Sequence, residues 1–196
     1  MPLQLTAFPI KVGAAHASFH DGFNDPRRGG SHQAVDIGGP IGLSVVSTTG
    51  GVVIREWRTH SDRHTVRPGV TSVPVGRGGR WVIVLDSQNF VHYYAHLLEP
   101  RVTVGQRVHA GMLLGLLGDS GAAHRHPRLH YQVWNASNRT EPERTSGTFT
   151  RPLGSAVNPY AELVRVSCMT AGASGGVILN PRPAASHRPA HPHSHP

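Results

Sequence analysis

The sequence is short of several residue types, and each shortage excludes a class of protein. Cys168 is the only cysteine among the 196 residues, which excludes an intrachain disulfide and a thiolate metal cluster. The apolar run at residues 110–118 is too short and too rich in glycine to cross a bilayer. Residues 1–12 lack both the charged start and the continuous apolar stretch of a secretory signal. We therefore expect a soluble chain with one buried, inert thiol.

The chain also has a single lysine, Lys11, and this argues against a carrier domain. The glycine and valine spacing of residues 102–118 is similar to that of biotinyl and lipoyl carrier domains, which present a modified lysine on a hairpin. Because Lys11 lies far outside that stretch, a carrier function is discarded.

Arginine accounts for nearly all of the positive charge. The formal net charge is +8, and all but one of the 19 basic residues are arginine. Such a surplus suits a polyanionic partner, either nucleic acid or an anionic cell-wall polymer, but the arginines are scattered and codon bias explains them equally well. Because the sequence has no aromatic stacking platform or known nucleic-acid-binding motif, we do not expect nucleic acid to be the partner.

Chain-breaking residues are abundant instead. With 23 glycines, 16 prolines and 38% hydrophobic residues, the composition favours short strands and many turns over long helices. At this length we expect one domain, and the composition favours an all-β class with long loops. We assign it to residues 31–160, after an N-terminal lead-in segment at 1–30. Residues 161–196 form a tail dominated by Gly, Ala, Pro and His that is predicted to be largely disordered.

Alternating residues and turn formers predict the individual strands. Residues 43–57 indicate two strands joined as a hairpin at residues 49–51, and residues 58–79 indicate a long exposed loop. In the strand predicted at residues 90–97, period-two alternation puts three polar or aromatic side chains on the open face: His92, Tyr94 and His96.

The stretch from Pro127 to Trp134 has the clearest strand pattern. Its apolar and polar residues alternate, so Arg128 and His130 share an open face. Side chains two positions apart on a strand begin only about 7 Å apart. Both can therefore reach one centre, such as a metal ion and the atom that reacts at it.

His32 and Asp36 form a second pair of candidate residues. Val35 and Ile37 flank Asp36, so alternation places its carboxylate on an open face. On one straight strand His32 and Asp36 would lie about 13 Å apart, too far for ligands that each sit about 2 Å from a metal. A bend after His32 is therefore required if the two share an ion.

Three motifs, in this order, resemble those of the LytM/lysostaphin-type zinc endopeptidases, peptidase family M23. They are His32-x-x-x-Asp36, Tyr94-Ala-His96-Leu97 and Pro127-Arg-Leu-His130-Tyr-Gln-Val. The similarity covers roughly residues 30–136. It implies a compact antiparallel β-domain whose substrate is a peptide bond in the stems or cross-bridges of peptidoglycan.

Carried over by position, the resemblance implies three zinc ligands, His32, Asp36 and His130. Two neutral imidazoles and a carboxylate suit Zn²⁺ and leave a fourth position for water, as in catalytic zinc sites. His96 is implied to be catalytic, by hydrogen-bonding the water or the oxyanion, and Tyr94 is implied to line the cleft. The resemblance also implies an extracytoplasmic or cell-wall location, although the lack of a recognisable signal leaves a cytoplasmic one open.

Arg128 departs from the family, whose third motif normally begins with a histidine that assists proton transfer. Arginine stays protonated at physiological pH, so it cannot act as a general base. Either Arg128 stabilises the oxyanion while His96 handles the proton, or His124 or His126 supplies the base, or the site binds zinc without cleaving. The last case leaves a non-enzymatic module with a wall-binding or regulatory role as the alternative function.

Overall fold

The elements of the fold are almost all antiparallel strands. The computed structural model describes residues 1–11, 17–27, 30–58, 77–137, 154–174 and 180–182. Within these residues there is one α-helix, α1 (Tyr160–Ser174), which is not long and apolar enough to cross a membrane. The expected all-β class is therefore confirmed. Most of the loop predicted at 58–79, and the last part of the predicted tail, lie outside the described residues.

Twelve strands form one sheet, and two more form a separate ribbon. The order along the main sheet is β1-β6-β11-β9-β12-β5-β2-β14, while β8 pairs with β9 and β7, β10 with β7, and β13 with β12. The ribbon is β3-β4. The bounds are β1 (Ile10–Lys11), β2 (Ser18–His20), β3 (Pro26–Arg27), β4 (Gly30–Ser31), β5 (Val35–Gly38), β6 (Ser44–Val46), β7 (Gly51–Trp57), β8 (Arg80–Asp86), β9 (Phe90–Pro100), β10 (Arg107–Val108), β11 (Leu113–Leu117), β12 (Arg128–Asn135), β13 (Ser155–Val157) and β14 (Asn180–Arg182).

The alternation in β12 decides which side chains enter the core. Leu129, Tyr131 and Val133 are buried in the larger hydrophobic cluster on one side of the sheet. Arg128, His130 and Gln132 point to the other side and line a cleft. Successive residues of a strand point to opposite faces of the sheet. Burial of the apolar residues therefore fixes the register of β12, and the polar residues are left facing the cleft.

The predicted open face of β9 is wrong for His92 and Tyr94, which are both fully buried. His96 has φ 64°, and the pairing of β9 with β8 shifts register at this point, so the strand contains a bulge. As a result Tyr94 is fully buried on the core side with Leu97, while Tyr93 and His96 line the cleft. The backbone N–H of His96 donates to the carbonyl of Gly78, a residue outside the sheet, at 2.9 Å.

The hairpin predicted within residues 43–57 is also wrong. The strands β6 and β7 both exist, but they do not pair with each other. β6 pairs with β1 and β11, and β7 pairs with β8 and β10. The turn residues between them therefore carry the chain from one part of the sheet to another.

The N-terminal segment and the start of the predicted tail both pack against the hydrophobic core, which the sequence did not predict. In the N-terminal segment, Leu5, Phe8 and Phe19 are buried in the main core. The helix α1 occupies the start of the predicted tail and buries Leu163 and Val166 in the same core. Segments on both sides of the predicted domain 31–160 therefore pack against its core, and the division into three parts stays a prediction.

One hydrogen bond and one exposed side chain describe how α1 sits on the domain. The backbone N–H of Leu5 donates to Glu162 Oε2 at 2.8 Å and so ties the N-terminal segment to the helix. Cys168 lies on the exposed side of α1, which contradicts the expectation of a buried thiol.

A buried polar network connects β8, β9 and β12 on the core side. His92 Nε2 lies 3.2 Å from Asp86 Oδ2, and His92 Nδ1 lies 2.9 Å from the Tyr131 hydroxyl. The Thr48 hydroxyl lies 3.0 Å from that of Tyr131 and 2.8 Å from that of Tyr94. Each group has a partner, which is the condition for a buried polar network to stabilise a fold.

We predict that His92→Phe destabilises the domain without acting on the cleft. The change leaves Asp86 Oδ2 and the Tyr131 hydroxyl each short of a buried partner, at a cost of about 1–3 kcal/mol for each group. The free energy of unfolding, from denaturant titration, measures this. His109→Phe is the control, because His109 is exposed. Equal stability of the two variants would show that the network contributes nothing.

Candidate metal centre

The register of β12 brings an imidazole and a carboxylate together. His130 lies directly opposite Asp36 on β5 and opposite Ala95 on β9. Directly opposed residues on antiparallel strands share one face, with Cβ atoms about 4.5–5.5 Å apart. The pairing of β12 with β5 thus places the two side chains in contact, and His130 Nδ1 lies 3.0 Å from Asp36 Oδ1.

His32 reaches the same point from a loop. It follows β4, and the chain bends at Ala34 before β5 begins, so His32 and Asp36 are not on one straight strand. Backbone bonds hold the loop: His32 N–H donates to Asp25 O at 2.8 Å, and His32 O accepts from Asn24 N–H at 2.6 Å. The side chain of His32 is buried.

Three donor atoms face one another at nearly equal distances. His32 Nε2 lies 3.2 Å from His130 Nδ1 and 3.3 Å from Asp36 Oδ1, and the third side of this triangle is 3.0 Å. Two imidazole nitrogens and one carboxylate oxygen from three separate segments therefore converge on a common centre. This is a set of groups that could hold a metal ion.

The far nitrogens of both imidazoles are occupied. His32 Nδ1 lies 3.0 Å from the carbonyl of Gly22, and His130 Nε2 lies 3.4 Å from Gln132 Oε1. Since a carbonyl oxygen only accepts, the proton of His32 sits on Nδ1, and the same choice for His130 puts its proton on Nε2. Both lone pairs then point to the centre, which is the arrangement that metal-binding histidines show.

The carboxylate of Asp36 is held ionised. Burial alone would raise its pKa, but the side-chain hydrogen bonds that His130 and His32 donate when these rings are protonated, and the charges the rings then carry, outweigh burial and hold the pKa well below its ordinary value. The other oxygen, Oδ2, faces two arginines: Arg128 Nε at 3.2 Å and Arg27 Nη2 at 3.6 Å. Oδ1 of Asp36 therefore faces the two imidazoles, whereas Oδ2 pairs with the two arginines.

His96 stands beside the triangle and not within it. Its ring centroid lies 5.8 Å from that of His130, and its Nδ1–H donates to the carbonyl of Ser120 at 2.8 Å. Burial, followed by the nearby charges of His130 and Arg128, lowers the pKa of His96 to about 3. His96 is therefore a neutral imidazole at physiological pH, with Nε2 available to a group in the cleft.

Arg128 occupies the cleft wall next to His130. Its Nη1 donates to the carbonyl of His126 at 3.1 Å, while its buried Nε has no acceptor in hydrogen-bond geometry among the described residues. His124 and His126 are both exposed, and neither is among the described residues that line the cleft with the three donors. This geometry disfavours His124 as the base, whereas His126 lines a second cavity that shares Asp36 and Arg128 with the cleft, so the interpretation in which His126 supplies the base stays a prediction.

The cleft around the three donors has a volume of about 550 Å³. Its walls include aromatic residues that sequence reasoning missed, namely Trp57, Trp81 and Tyr93. Burial raises the pKa of the Tyr93 hydroxyl above its ordinary value, so this group stays a neutral donor. The position of Tyr93 directly before the second motif was the signal that could have identified it. Simple alternation places Tyr93 on the buried face, however, and the bulge at His96 reverses this assignment.

Comparisons with known proteins agree with the motifs. The model of peptidase family M23 matches residues 30–142. Among curated relatives, the L-Ala–D-Glu endopeptidase of Bacillus subtilis is 31% identical over 69% of this chain. The peptidoglycan DD-endopeptidase ShyA of Vibrio cholerae is 28% identical over 55% of this chain. The chain spans 40% and 21% of the length of these two relatives.

Solved structures show the same fold. A LytM protein from Ruminococcus gnavus superposes with a TM-score of 0.59 at 22% identity, over 90% of this chain and 64% of that one. Lysostaphin from Staphylococcus simulans superposes with a TM-score of 0.51 at 20% identity, over 85% of this chain and 56% of that one. With the matched family model and the antiparallel sheet, these findings establish that the chain belongs to peptidase family M23.

Proposed function

We propose that this chain is a zinc-dependent metalloendopeptidase that hydrolyses peptide bonds in the stems or cross-bridges of peptidoglycan. The observation that carries the proposal is the convergence of His32 Nε2, Asp36 Oδ1 and His130 Nδ1, with the far nitrogens of both imidazoles occupied. The relatives named above act, by their names, on bonds of this kind. The reaction would take place in the cell wall, where that substrate lies.

The donor set fits zinc in both chemistry and spacing. Zinc binds neutral imidazoles and carboxylates with ligand atoms about 2.0–2.1 Å away, so two ligands of a tetrahedral ion lie about 3.3 Å apart. The three distances of 3.0, 3.2 and 3.3 Å match that spacing without rearrangement. Three protein ligands leave one position open, as in catalytic zinc sites. When bound, zinc would lower the pKa of a water molecule and polarise the scissile carbonyl.

Proton transfer and stabilisation of the oxyanion would be carried out by side chains of this protein. His96 is neutral, and its Nδ1–H is committed to Ser120 O, so Nε2 is the nitrogen that can accept a proton. Its lowered pKa makes it a weak base and, once protonated, a strong acid that returns the proton to the leaving amine. Arg128 carries a permanent charge at the edge of the cleft and can stabilise the oxyanion. Its contact with Asp36 Oδ2 also keeps Oδ1 turned towards the imidazoles. Arg128 thus acts through charge and position, while proton transfer depends on His96.

A second function, metal-dependent wall binding without cleavage, is favoured by one observation. Arg128 stands where the family has a proton-transferring histidine, and the described residues lining the cleft offer no other base on that side. Release of peptides from purified sacculi, with and without a chelator and after zinc is restored, separates the two functions. Chelator-sensitive release supports the peptidase, whereas one bound zinc per chain with no release supports the binding module.

We predict that Arg128→His raises peptidase activity on sacculi. The substitution restores a titratable group at the family's position, and positioned acid–base groups contribute about 10²–10⁴-fold. Loss of the contact with Asp36 Oδ2 offsets part of the gain, so we expect at least a tenfold rise.

The matched control for this substitution is Arg128→Gln, which removes the same charge without adding a base. We expect the glutamine variant to be no faster than the native chain. If the histidine and glutamine variants release peptides at the same rate, a missing proton-transfer group is not what limits the native enzyme.

A further inference from the structure

A second cavity continues from the metal centre along β2 and has a volume of about 640 Å³. It shares Arg27, Asp36 and Arg128 with the cleft, so the two form one continuous surface. Arg125, in the loop before β12, also lines this cavity. We call the part lined by Arg27, Arg125 and Arg128 the basic groove.

The charges in the basic groove are strongly unbalanced. Three guanidinium groups face it, and Asp36 is the one carboxylate among its described lining residues. Asp36 Oδ1 is already directed to the imidazoles, and Oδ2 is shared between Arg128 and Arg27. Because two arginines share one carboxylate oxygen, the positive charge of the groove is not neutralised, and a further anion can bind there.

The positions of the arginines favour a ligand that enters from the cleft. The buried Nε of Arg128 has no acceptor in hydrogen-bond geometry, and the contact of Arg27 with Asp36 is long at 3.6 Å. The backbone N–H of Arg125 donates to Asp119 Oδ2 at 3.1 Å, which anchors the turn that carries this side chain. Three positively charged side chains therefore lie beside the reacting centre.

We propose that the basic groove binds a carboxylate of the peptidoglycan stem peptide, within about two residues of the bond that is cut. This rests on the proposed function. Arg128 touches Asp36, so a carboxylate on Arg128 lies close to the reacting carbonyl, and one extended residue spans about 3.5 Å. Stem peptides carry free carboxylates on D-glutamate and at the C-terminus, whereas a glycine cross-bridge carries none. The basic groove therefore directs the enzyme to stem peptides.

Four synthetic stem tetrapeptides test this proposal. They combine D-glutamate or its α-amide at the second position with a C-terminal carboxylate or amide. Calorimetric titration into the metal-free native chain measures affinity without cleavage. We expect amidation of one of the two carboxylates to weaken binding by about ten- to a hundredfold, since one charge-assisted hydrogen bond is lost. The carboxylate whose amidation has this effect is the one that the groove binds.

Arg125→Gln is the variant that assigns the effect to the groove. The side chain is exposed, so the fold tolerates the change, and we expect the preference for the carboxylate to fall at least fivefold. Arg107→Gln on β10 removes the same charge from an exposed residue that does not line the groove and should keep the preference. Equal affinity for all four peptides, no measurable binding of any peptide, or an unchanged preference in Arg125→Gln overturns the proposal.

Two further measurements separate this proposal from its alternatives. Cleavage of the four peptides by the zinc-loaded chain tests the proposed function: no cleavage with the affinity difference intact rejects the peptidase and keeps the groove. Cleavage of all four with equal kcat/KM and equal affinity rejects the groove and keeps the peptidase. If poly(glycerol phosphate) binds more tightly than every peptide and loses affinity in Arg125→Gln, the groove serves an anionic wall polymer and the proposal is wrong.

Discussion

His130→Ala is expected to lose the bound metal and, with it, peptidase activity. His130 Nδ1 lies 3.0 Å from Asp36 Oδ1 and 3.2 Å from His32 Nε2, so its removal opens one side of the donor triangle. Even a residue that only orients a metal ligand changes metal affinity by about 10–100-fold, so we expect the loss of a ligand to exceed about 100-fold. Elemental analysis of the purified protein measures zinc per chain, and release of peptides from sacculi measures activity.

The control for this substitution is His109→Ala, because His109 is exposed and contacts only a neighbouring backbone carbonyl at 2.9 Å. It should keep one zinc per chain and native activity. His32→Ala should behave like His130→Ala, since it removes a different corner of the same triangle. One equivalent of tightly held zinc in His130→Ala would contradict the assignment of the ligands.

His96→Ala is expected to keep the metal and lose the reaction. His96 is not a corner of the triangle, but it lies at its edge as a neutral imidazole whose pKa burial lowers to about 3. Loss of a positioned acid–base group typically lowers kcat by about 10²–10⁴-fold, with little change in substrate binding. Steady-state kinetics on a stem peptide, together with zinc content, measures both effects.

The pattern of losses distinguishes the role of His96 from a structural one. A catalytic His96 lowers kcat while zinc content and the unfolding midpoint stay close to native values. If His96→Ala loses zinc as well, His96 supports the metal site and is not the proton-transfer group. If kcat is unchanged, proton transfer belongs to another residue and the mechanism proposed above is wrong.

The sequence predicted the face of β12 well because that strand is regular. Leu129 and Tyr131 are apolar and buried, so the alternation directly places Arg128 and His130 on the opposite face. The bend after His32 followed from distance once a shared ion was assumed, because an extended chain would hold His32 and Asp36 too far apart for one ion. The family and the fold class, both predicted from motifs and composition, are confirmed.

The face of β9 was not predictable from its own residues. The bulge at His96 depends on a hydrogen bond from its N–H to the carbonyl of Gly78, a residue 18 positions earlier in the chain. Gly78 itself is required there, because a Cβ would lie 2.0 Å from the Tyr93 hydroxyl. Such a contact between distant segments has no local signature, so period-two alternation assigned Tyr94 to the cleft and Tyr93 to the core.

The full length of α1 was not predictable for a different reason. Its second half is rich in Gly, Ala, Ser and Thr, which carry little hydrophobic periodicity. The helix is instead stabilised by tertiary contacts, through burial of Leu163 and Val166 and the bond from Leu5 N–H to Glu162. Intrinsic propensity is a weak guide when packing decides the outcome.

The measurement that tests the three-ligand centre most directly is anomalous scattering at the zinc absorption edge, from crystals of the native protein grown with zinc. We expect one strong anomalous peak about 2.0–2.2 Å from each of His32 Nε2, Asp36 Oδ1 and His130 Nδ1. A peak bound by other side chains, or zinc that is held with any of these three atoms turned away from it, would contradict the assignment.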